Sequence, residues 1–566
     1  MENYEEITSF LGEWGRFQMC VFFLLSLTFI PQGYLSLSVV FLAATPQHHC
    51  EVSSTYGENI SDYIPHEGTS RDRVLSRCRR YKHLNRTAAG WANETEGCLD
   101  GWRFSADTYK STIVTEWSLV CEDSWKVPFA TSLSFFGVVA GLLISGPISD
   151  RFGRKLVFFV SLVLQNTFAV LQALSSSWEW YCTFYFFVGM ACTSSYMSAF
   201  ILGSELLGKS TRVLFSSLGV CICYALGYTC LPIFAYLIRD WRMLQMALSV
   251  PGFFCIPLWW LIPESPRWLL SRGHVEEAVA IIQAIGKKNG VSAPEVIFKT
   301  EDCSQPLRKT EPQRVYTIID LIRTANIRNI TILNTIVWIV TSMTYYGLSL
   351  NTPNMGGDPY LNCFISAVSE IVAYVATWFF MRYTARRFTL IFLFLLSGVT
   401  LLIIKFVPDE LDAVVLVLVM VGKGGITAAY CFIYVYSTEM FPTVLRNTGV
   451  GFISTAGHTA SILSPYVAYI GDYNKVAPYI LMGSVTVSVA FLSLLLPETK
   501  DSELPELISQ VKPIMWCGSE SRPSCFHKQT LLSKCVSEDS DSCWTEIPKL
   551  ETGVVETGRD DSKSHD

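Results

Sequence analysis

The chain has 566 residues, of which 50% are hydrophobic, 13% aromatic and only 16% charged. A soluble domain carries about 25% charged residues, so much of this surface faces something other than water. The formal net charge of −6 offers no basic face to a nucleic acid.

The first 18 residues carry Glu2, Glu5, Glu6 and Glu13 where a signal peptide has a basic n-region, so the first apolar run is expected to stay in the mature protein. A helix needs roughly 20 apolar residues to cross the hydrocarbon core. Runs poor in charge lie at 19–47, 127–149, 156–178, 180–204, 213–238 and 243–263. After a polar gap come 330–357, 359–381, 388–404, 413–438, 447–471 and 476–497. Twelve transmembrane helices are therefore expected, in an all-α membrane protein. The segments follow: 1–18 as an N-terminal stretch, 19–43 as the first span, 44–126 as a large loop, 127–263 as spans two to six, 264–329 as a central loop, 330–497 as spans seven to twelve, and 498–566 as a polar, Ser-rich tail expected to be disordered.

Orientation follows from the short loops. Arg151, Arg154 and Lys155 follow the second span, Lys209 and Arg212 the fourth, and Arg382, Arg386 and Arg387 the eighth. Basic loops face the cytoplasm, which puts both termini inside and 44–126 outside. That loop holds three glycosylation sequons, at Asn59, Asn85 and Asn93, and four cysteines, Cys50, Cys78, Cys98 and Cys121. Four cysteines in an extracellular loop imply two disulfides, with three pairings open. In the central loop, the pattern from Val275 is helical and should pack beneath the bundle, while 301–314 reads as flexible.

The halves repeat. Tyr196, Glu205, Arg212 and Pro263-Glu264-Ser265 recur as Tyr430, Glu439, Arg446 and Pro497-Glu498-Thr499, each 234 positions later. Two six-helix halves related about the membrane normal are the signature of a rocking carrier with a central site. The loop Gly146-Pro-Ile-Ser-Asp150-Arg151-Phe-Gly-Arg154-Lys155 matches the GxxxDRxGRK pattern of the major facilitator superfamily. Asp150, Arg151 and Arg154, with Glu205, Arg212, Glu439 and Arg446, are candidates for gating pairs that form and break as the halves rock.

Other motifs narrow the resemblance. Pro263-Glu-Ser-Pro-Arg267-Trp-Leu and Glu439-Met-Phe-Pro442-Thr-Val-Leu-Arg446-Asn, with the long loop after span one, resemble the organic-ion transporters of solute carrier family 22. The opening Tyr4-Glu-Glu-Ile-Thr-Ser-Phe-Leu-Gly-Glu-Trp-Gly15 and Leu348-Ser-Leu-Asn-Thr-Pro-Asn354 look like its organic cation/carnitine branch. The resemblance runs to about residue 510; the tail ends Lys563-Ser-His-Asp566, without the hydrophobic terminus that PDZ domains capture in this subfamily. It implies a major facilitator fold in the plasma membrane. It also implies uptake of quaternary-amine zwitterions or organic cations, carnitine and ergothioneine first, with sodium co-transport typical for carnitine and no cofactor otherwise.

Charges inside a span are costly and mostly functional; here they are Glu370 and Lys423, with the titratable His458. A quaternary ammonium cannot donate a hydrogen bond, so aromatic faces and negative field must hold it. Tyr34, Tyr196, Tyr224, Trp338, Tyr345 and Tyr430 are aromatic candidates near the midplane. Trp338, Tyr345 and Tyr196 are the expected cage, with Glu370 as field or, alternatively, as a structural lock with Lys423. Where the carnitine transporters of the family carry Arg, this chain has His458, so carboxylate recognition is open. Either imidazolium or Lys423 binds the carboxylate, or the substrate is a cation or ergothioneine, or His458 is structural. Gln32, Gln165 and Glu439 are the oxygen donors considered for sodium.

Gly203-Ser-Glu-Leu-Leu-Gly208-Lys209-Ser210 satisfies the GxxxxGK[ST] phosphate-loop pattern. Such a loop should follow a strand, and here it follows a membrane helix, which makes a nucleotide-regulated carrier a remote alternative. A non-transporting sensor on a carrier fold is another. No catalytic triad, haem motif or zinc spacing is found, so no enzyme is expected.

Overall fold

The computed structural model describes residues 8–52, 64–67, 74–81, 95–291, 318–408, 411–500, 502, 505–506 and 508–511. The sequons at Asn59, Asn85 and Asn93, the flexible stretch 301–314 and nearly all of the expected tail lie outside the described residues.

Buried in hydrocarbon, a backbone must satisfy its own polar groups, and helices do so within one segment. The long helices are α1 Arg16–Leu37, continued by Val39–Leu42, α2 Lys126–Phe152, α3 Arg154–Ala173, α4 Trp178–Leu206, α5 Val220–Leu237 and α6 Trp241–Phe253. They are followed by α7 Ala325–Leu350, α8 Pro359–Tyr383, α9 Arg386–Ile403, α10 Asp412–Met440, α11 Arg446–Ser461 and α12 Ala477–Leu492. Among the described residues ten helices are long and apolar enough to cross a membrane, against the twelve expected. The other two are α7 and α11. α7 is diluted by Thr331, Asn334, Thr335, Thr341, Ser342 and Thr344, and α11 runs only 16 residues before Ile462 and Leu463 separate it from Ser464–Tyr469.

Local chemistry sets the ends. Asp240 caps α6 by accepting from the Met243 amide, and Asp358 caps α8 by accepting from the Tyr360 amide, with Pro359 at the first position. Between α2 and α3 the chain reverses at Gly153, whose φ of 104° is strained for a side-chain-bearing residue.

The packing repeats as the sequence does. α2 and α3 flank α4 as α8 and α9 flank α10. α1 lies on α5 as α7 lies on α11, and α3 on α6 as α9 on α12. The halves meet through two matching pairs, α2 with α11 and α5 with α8. Glycines bring helices together: a Cβ on Gly227 of α5 would collide with the Ile30 carbonyl of α1.

The described residues between 44 and 126 form a small module on one face, the loop face; the opposite one is the terminal face. His48–Cys50 pairs antiparallel with Trp102–Phe104, and Arg79–Tyr81 with Thr95–Gly97. The disulfides are Cys50–Cys98 and Cys78–Cys121, which selects one of the three open pairings. On the terminal face, helix Val275–Asn289 ends against α1, where Asn289 accepts from the Phe17 amide at 2.9 Å and donates to the Leu11 carbonyl at 3.0 Å.

Gly227→Ala should cost about 1–3 kcal/mol through overpacking of α1 on α5, read as a lower melting temperature of the purified protein. An unchanged melt would show that the two helices can part without loss.

Candidate functional site

At the centre, on the seam between the halves, lies an ion pair with no exposed surface. Lys423 Nζ of α10 is 3.2 Å from Glu370 Oε1 of α8, both side chains 0% exposed. The ammonium also donates to Ser366 Oγ and, at 3.3 Å, to the Tyr228 hydroxyl of α5, and it sits 4.7 Å from the Tyr228 ring centroid. Tyr228 and Ser366 are themselves linked at 3.2 Å. A buried charge needs such a partner, since removing water costs several kcal/mol per ion. The consequence for a ligand is that Glu370 is largely neutralised. Of the two sequence readings of this residue, the geometry carries the lock with Lys423.

Beside this pair is a tyrosine-lined wall. Tyr345 and Tyr430 stack at 5.3 Å with 26° between planes; Tyr346 meets Tyr345 at 5.1 Å, and Tyr434 meets Tyr430 at 5.8 Å. Phe135 of α2 reaches across the seam to Tyr346 at 4.9 Å. Tyr196 and Tyr224 of the first half lie within electrostatic range of Tyr430, and Tyr224 and Tyr345 within that of Glu370. Tyr196, Tyr224, Tyr346, Tyr430 and Tyr434 are half-buried, so their surfaces are not consumed by packing.

Two of the expected aromatics sit elsewhere. Trp338 is fully buried in the core of the second half, its Nε1 donating to Ser437 Oγ at 3.0 Å, and Ser437 donating on to Asn334 at 3.2 Å. It backs Tyr434 edge-on at 4.4 Å rather than facing the cavity, because its indole N–H is claimed by the α7–α10 contact. Tyr34 is buried against Phe234 within the first half. Tyr346, Tyr434, Tyr228 and Ser366 were not singled out from sequence. The available signals were the Tyr345-Tyr346 doublet and the Tyr430/Tyr434 spacing of four, which places two rings on one helix face.

His458 is half-buried on α11, next to Gly457, which packs on Trp338. Its Nδ1 is buried without a hydrogen-bond partner. Gln32 Nε2 donates to Ser195 Oγ at 3.0 Å, leaving its Oε1 buried and unpartnered. Gln165 is buried on α3. Glu439 lies 16 residues, about 24 Å of helix, beyond Lys423 on α10, so these oxygen donors do not converge on one point.

Glu439 belongs instead to a network on the terminal face that exists twice. In the first half Arg154 pairs with Asp150 at 2.8 Å and with Glu205 at 3.4 Å, while Glu264 accepts from the amides of Arg154 and Lys155 at 3.1 Å each. In the second, Arg386 pairs with Glu439 at 3.2 Å, while Glu498 accepts from the amides of Arg386 and Arg387 at 2.8 and 3.0 Å. Burial alone would raise the Glu498 carboxyl, but the amides of Lys500, Arg387, Arg386 and Thr499 outweigh it and hold it below the usual carboxylate range. Each glutamate thus reaches back to cap the N-terminus of an earlier helix of its half, α3 or α9. The Asp150 carbonyl accepts from Trp268 Nε1 at 2.8 Å, and Arg151 is exposed over Phe152. Arg212 donates weakly to the Leu207 carbonyl. Arg446 faces an open cavity of about 370 Å³ shared with Arg386, Glu439 and Thr499, with two buried guanidinium nitrogens unpartnered.

The phosphate-loop pattern is corrected by the structure. Gly203 lies inside α4, where a Cβ would run into the Phe215 ring, and Gly208 starts the six-residue helix Lys209–Leu214. No strand precedes it, so its backbone amides cannot form the cradle that the pattern requires. The side chains of Lys209 and Ser210 lie outside the described residues.

Residues 90–510 match the family described as "Sugar (and other) transporter". The chain is 48% identical over 541 residues to human organic cation/carnitine transporter 2, covering 93% of this chain and 96% of that one. It is 46% identical to mouse solute carrier family 22 member 4, covering 94% and 99%. Among solved structures it resembles the E. coli xylose transporter XylE in an inward-open conformation, with TM-score 0.60 at 15% identity, covering 88% and 100%.

Lys423→Met with Glu370 intact should cost about 3–5 kcal/mol, and adding Glu370→Gln should recover most of it; melting temperatures of the purified variants test this, and no recovery in the double variant would contradict the lock. Because Glu498 is held low, the stability it supplies is present above the ordinary carboxylate value of 4.5 and is lost as pH falls. Glu498→Gln should therefore lower the melting temperature at pH 7 and narrow its gap from the parent toward pH 4. A gap independent of pH would remove the charge from the explanation.

Proposed function

The chain belongs to the major facilitator superfamily and, within it, to the organic cation/carnitine transporters of solute carrier family 22, and on that premise we propose that it is a plasma-membrane carrier for quaternary-amine solutes, carnitine first. The observation that supports this reading is the half-buried tyrosine wall beside a neutralised Lys423–Glu370 pair. Ring faces attract a cation without demanding a hydrogen bond, and a net-neutral centre tolerates a zwitterion. The ammonium would lie against Tyr430, Tyr346, Tyr196 and Tyr224. The carboxylate would meet His458, whose Nδ1 is buried and unpartnered.

Transport would run by alternating access. The two terminal-face networks give each half a stiff end, and Arg446 waits there with unpartnered nitrogens. A carboxylate brought from the first half on closure, such as Glu205, would satisfy it. Basic loops and sequons support an orientation with the loop face outside and both termini in the cytoplasm. Sodium co-transport belongs to the carnitine reading, with Gln32 Oε1 and Ser195 Oγ as paired oxygen ligands.

A second reading has one observation of its own. With no arginine at position 458 and Glu370 neutralised, a plain organic cation or ergothioneine loses nothing in this site, whereas a carboxylate gains only an imidazole.

Uptake of labelled carnitine, ergothioneine and tetraethylammonium in cells expressing the chain, with sodium or with N-methylglucamine, separates the two. Sodium-dependent carnitine uptake is expected. His458→Arg should raise it about tenfold relative to tetraethylammonium, as a bidentate charged contact replaces a weaker one. Carnitine silence in both forms, with cation uptake intact, would reject the zwitterion reading.

A further inference from the structure

The module between α1 and α2 is fastened firmly to the first half. The amides of Lys110 and Ser111 donate to the Arg239 carbonyl at 3.0 and 3.3 Å, and the Trp241 amide donates to the Ser111 carbonyl at 3.2 Å. Trp241 Nε1 donates to Glu116 at 2.7 Å, and Arg242 pairs with the same carboxylate. Trp117 packs between Tyr181 and Trp241, with ring centroids 5.6 and 5.5 Å away. A capping box between Thr112 and Thr115 fixes the short helix Ile113–Trp117 that carries these groups.

The same module touches the second half through a few hydroxyls and one ring contact, Tyr109 against Tyr360 of α8 at 6.0 Å. The Tyr360 hydroxyl of α8 donates to the Thr108 carbonyl at 2.8 Å. The hydroxyls of Ser124 and Tyr469 share a hydrogen bond at 2.6 Å. The Cys78–Cys121 bridge braces this contact, since Ser124 Oγ also donates to the Cys121 carbonyl at 2.7 Å. Arg77, next to Cys78, lies within electrostatic range of Asp472, three residues beyond Tyr469. Beneath them α2 and α11 meet directly, Ser132 donating to the Ile462 carbonyl at 2.7 Å.

We propose that this disulfide-braced module is a latch on the loop face: it moves as part of the first half and biases that face shut through Tyr360–Thr108 and Ser124–Tyr469. The asymmetry of its fastening carries the argument. Parting the halves on this face leaves the peptide-to-peptide bonds at Arg239 and Ser111 untouched and breaks the two hydroxyl contacts together with the Tyr109–Tyr360 ring contact. Those donors and acceptors would then turn to water, so each contact contributes a bias of about fivefold rather than a lock. That is the size a carrier can use, since a much stronger latch would trap one state. The inference rests on the orientation proposed above, with the loop face outside.

The test uses the full chain in cells and a membrane-impermeant maleimide added outside, with labelling of Cys192 followed by mass spectrometry. Cys192 is a half-buried thiol of α4 beside Ser36, reachable from the loop face when the halves part there. Tyr469→Phe and Tyr360→Phe should each raise the labelling rate about fivefold. Asp107→Cys, on the exposed rim of the module, reports orientation. If it labels while Cys192 is unmoved in all variants, the latch is wrong. If it fails to label from outside, the orientation is wrong and the latch with it.

Discussion

An ammonium group sealed from water dictates much of how this bundle is put together. Lys423 has no exposed surface, and hydrocarbon supplies nothing to solvate it. Its partners must come from neighbouring helices, and they do: Glu370 and Ser366 from α8, Tyr228 from α5. That requirement draws α5 of the first half against α8 and α10 of the second at one depth in the membrane. Two consequences follow. The seam between the halves has a polar fastening at its centre, and the centre carries no net charge. In the proposed site, selectivity among ligands would then pass to ring faces and to the unpartnered Nδ1 of His458.

The ends of the bundle obey a different constraint, the unmet amides at the start of each helix. Glu264 and Glu498 meet it for α3 and α9, reaching back from the segments that follow α6 and α12. Each half is thereby closed into a ring in which its last segment pins its third helix. Gly153 allows the approach, since any side chain there would strike the Glu264 carboxylate. Rigid halves are what a rocking carrier needs, and here two repeated carboxylates add to the packing of each half's buried core.

The spans were legible because charge is scarce in them, and the repeat because five residues recur at one offset. α7 and α11 stand apart from the ten helices that are long and apolar enough by composition, because absence of Asp, Glu, Lys and Arg does not make a stretch apolar when asparagines, threonines, serines and glycines take their place. The cysteine count announced two disulfides, but pairing depends on strand register, which four short β-segments decide only in three dimensions. Glu370 and Lys423 could be seen to sit inside spans, though not whether they met, because their relative rotation is set by the α8–α10 packing. Trp338 was legible as an aromatic at mid-depth, while its burial behind Tyr434 follows from the Ser437–Asn334 chain that claims its N–H. Tyr346 and Tyr434 escaped notice for the converse reason: in a helix apolar all round, periodicity does not say which face lines a cavity.

The tyrosine wall is shared. Tyr345 and Tyr346 of α7 and Tyr430 and Tyr434 of α10 belong to the second half, and from the first half Tyr196, Tyr224 and Phe135 face them. A guest lodged among them would be gripped from both sides, like a hinge pin between two leaves. Rocking would then loosen one set of rings from the guest as it exposes it, so that holding and releasing would draw on the same few faces.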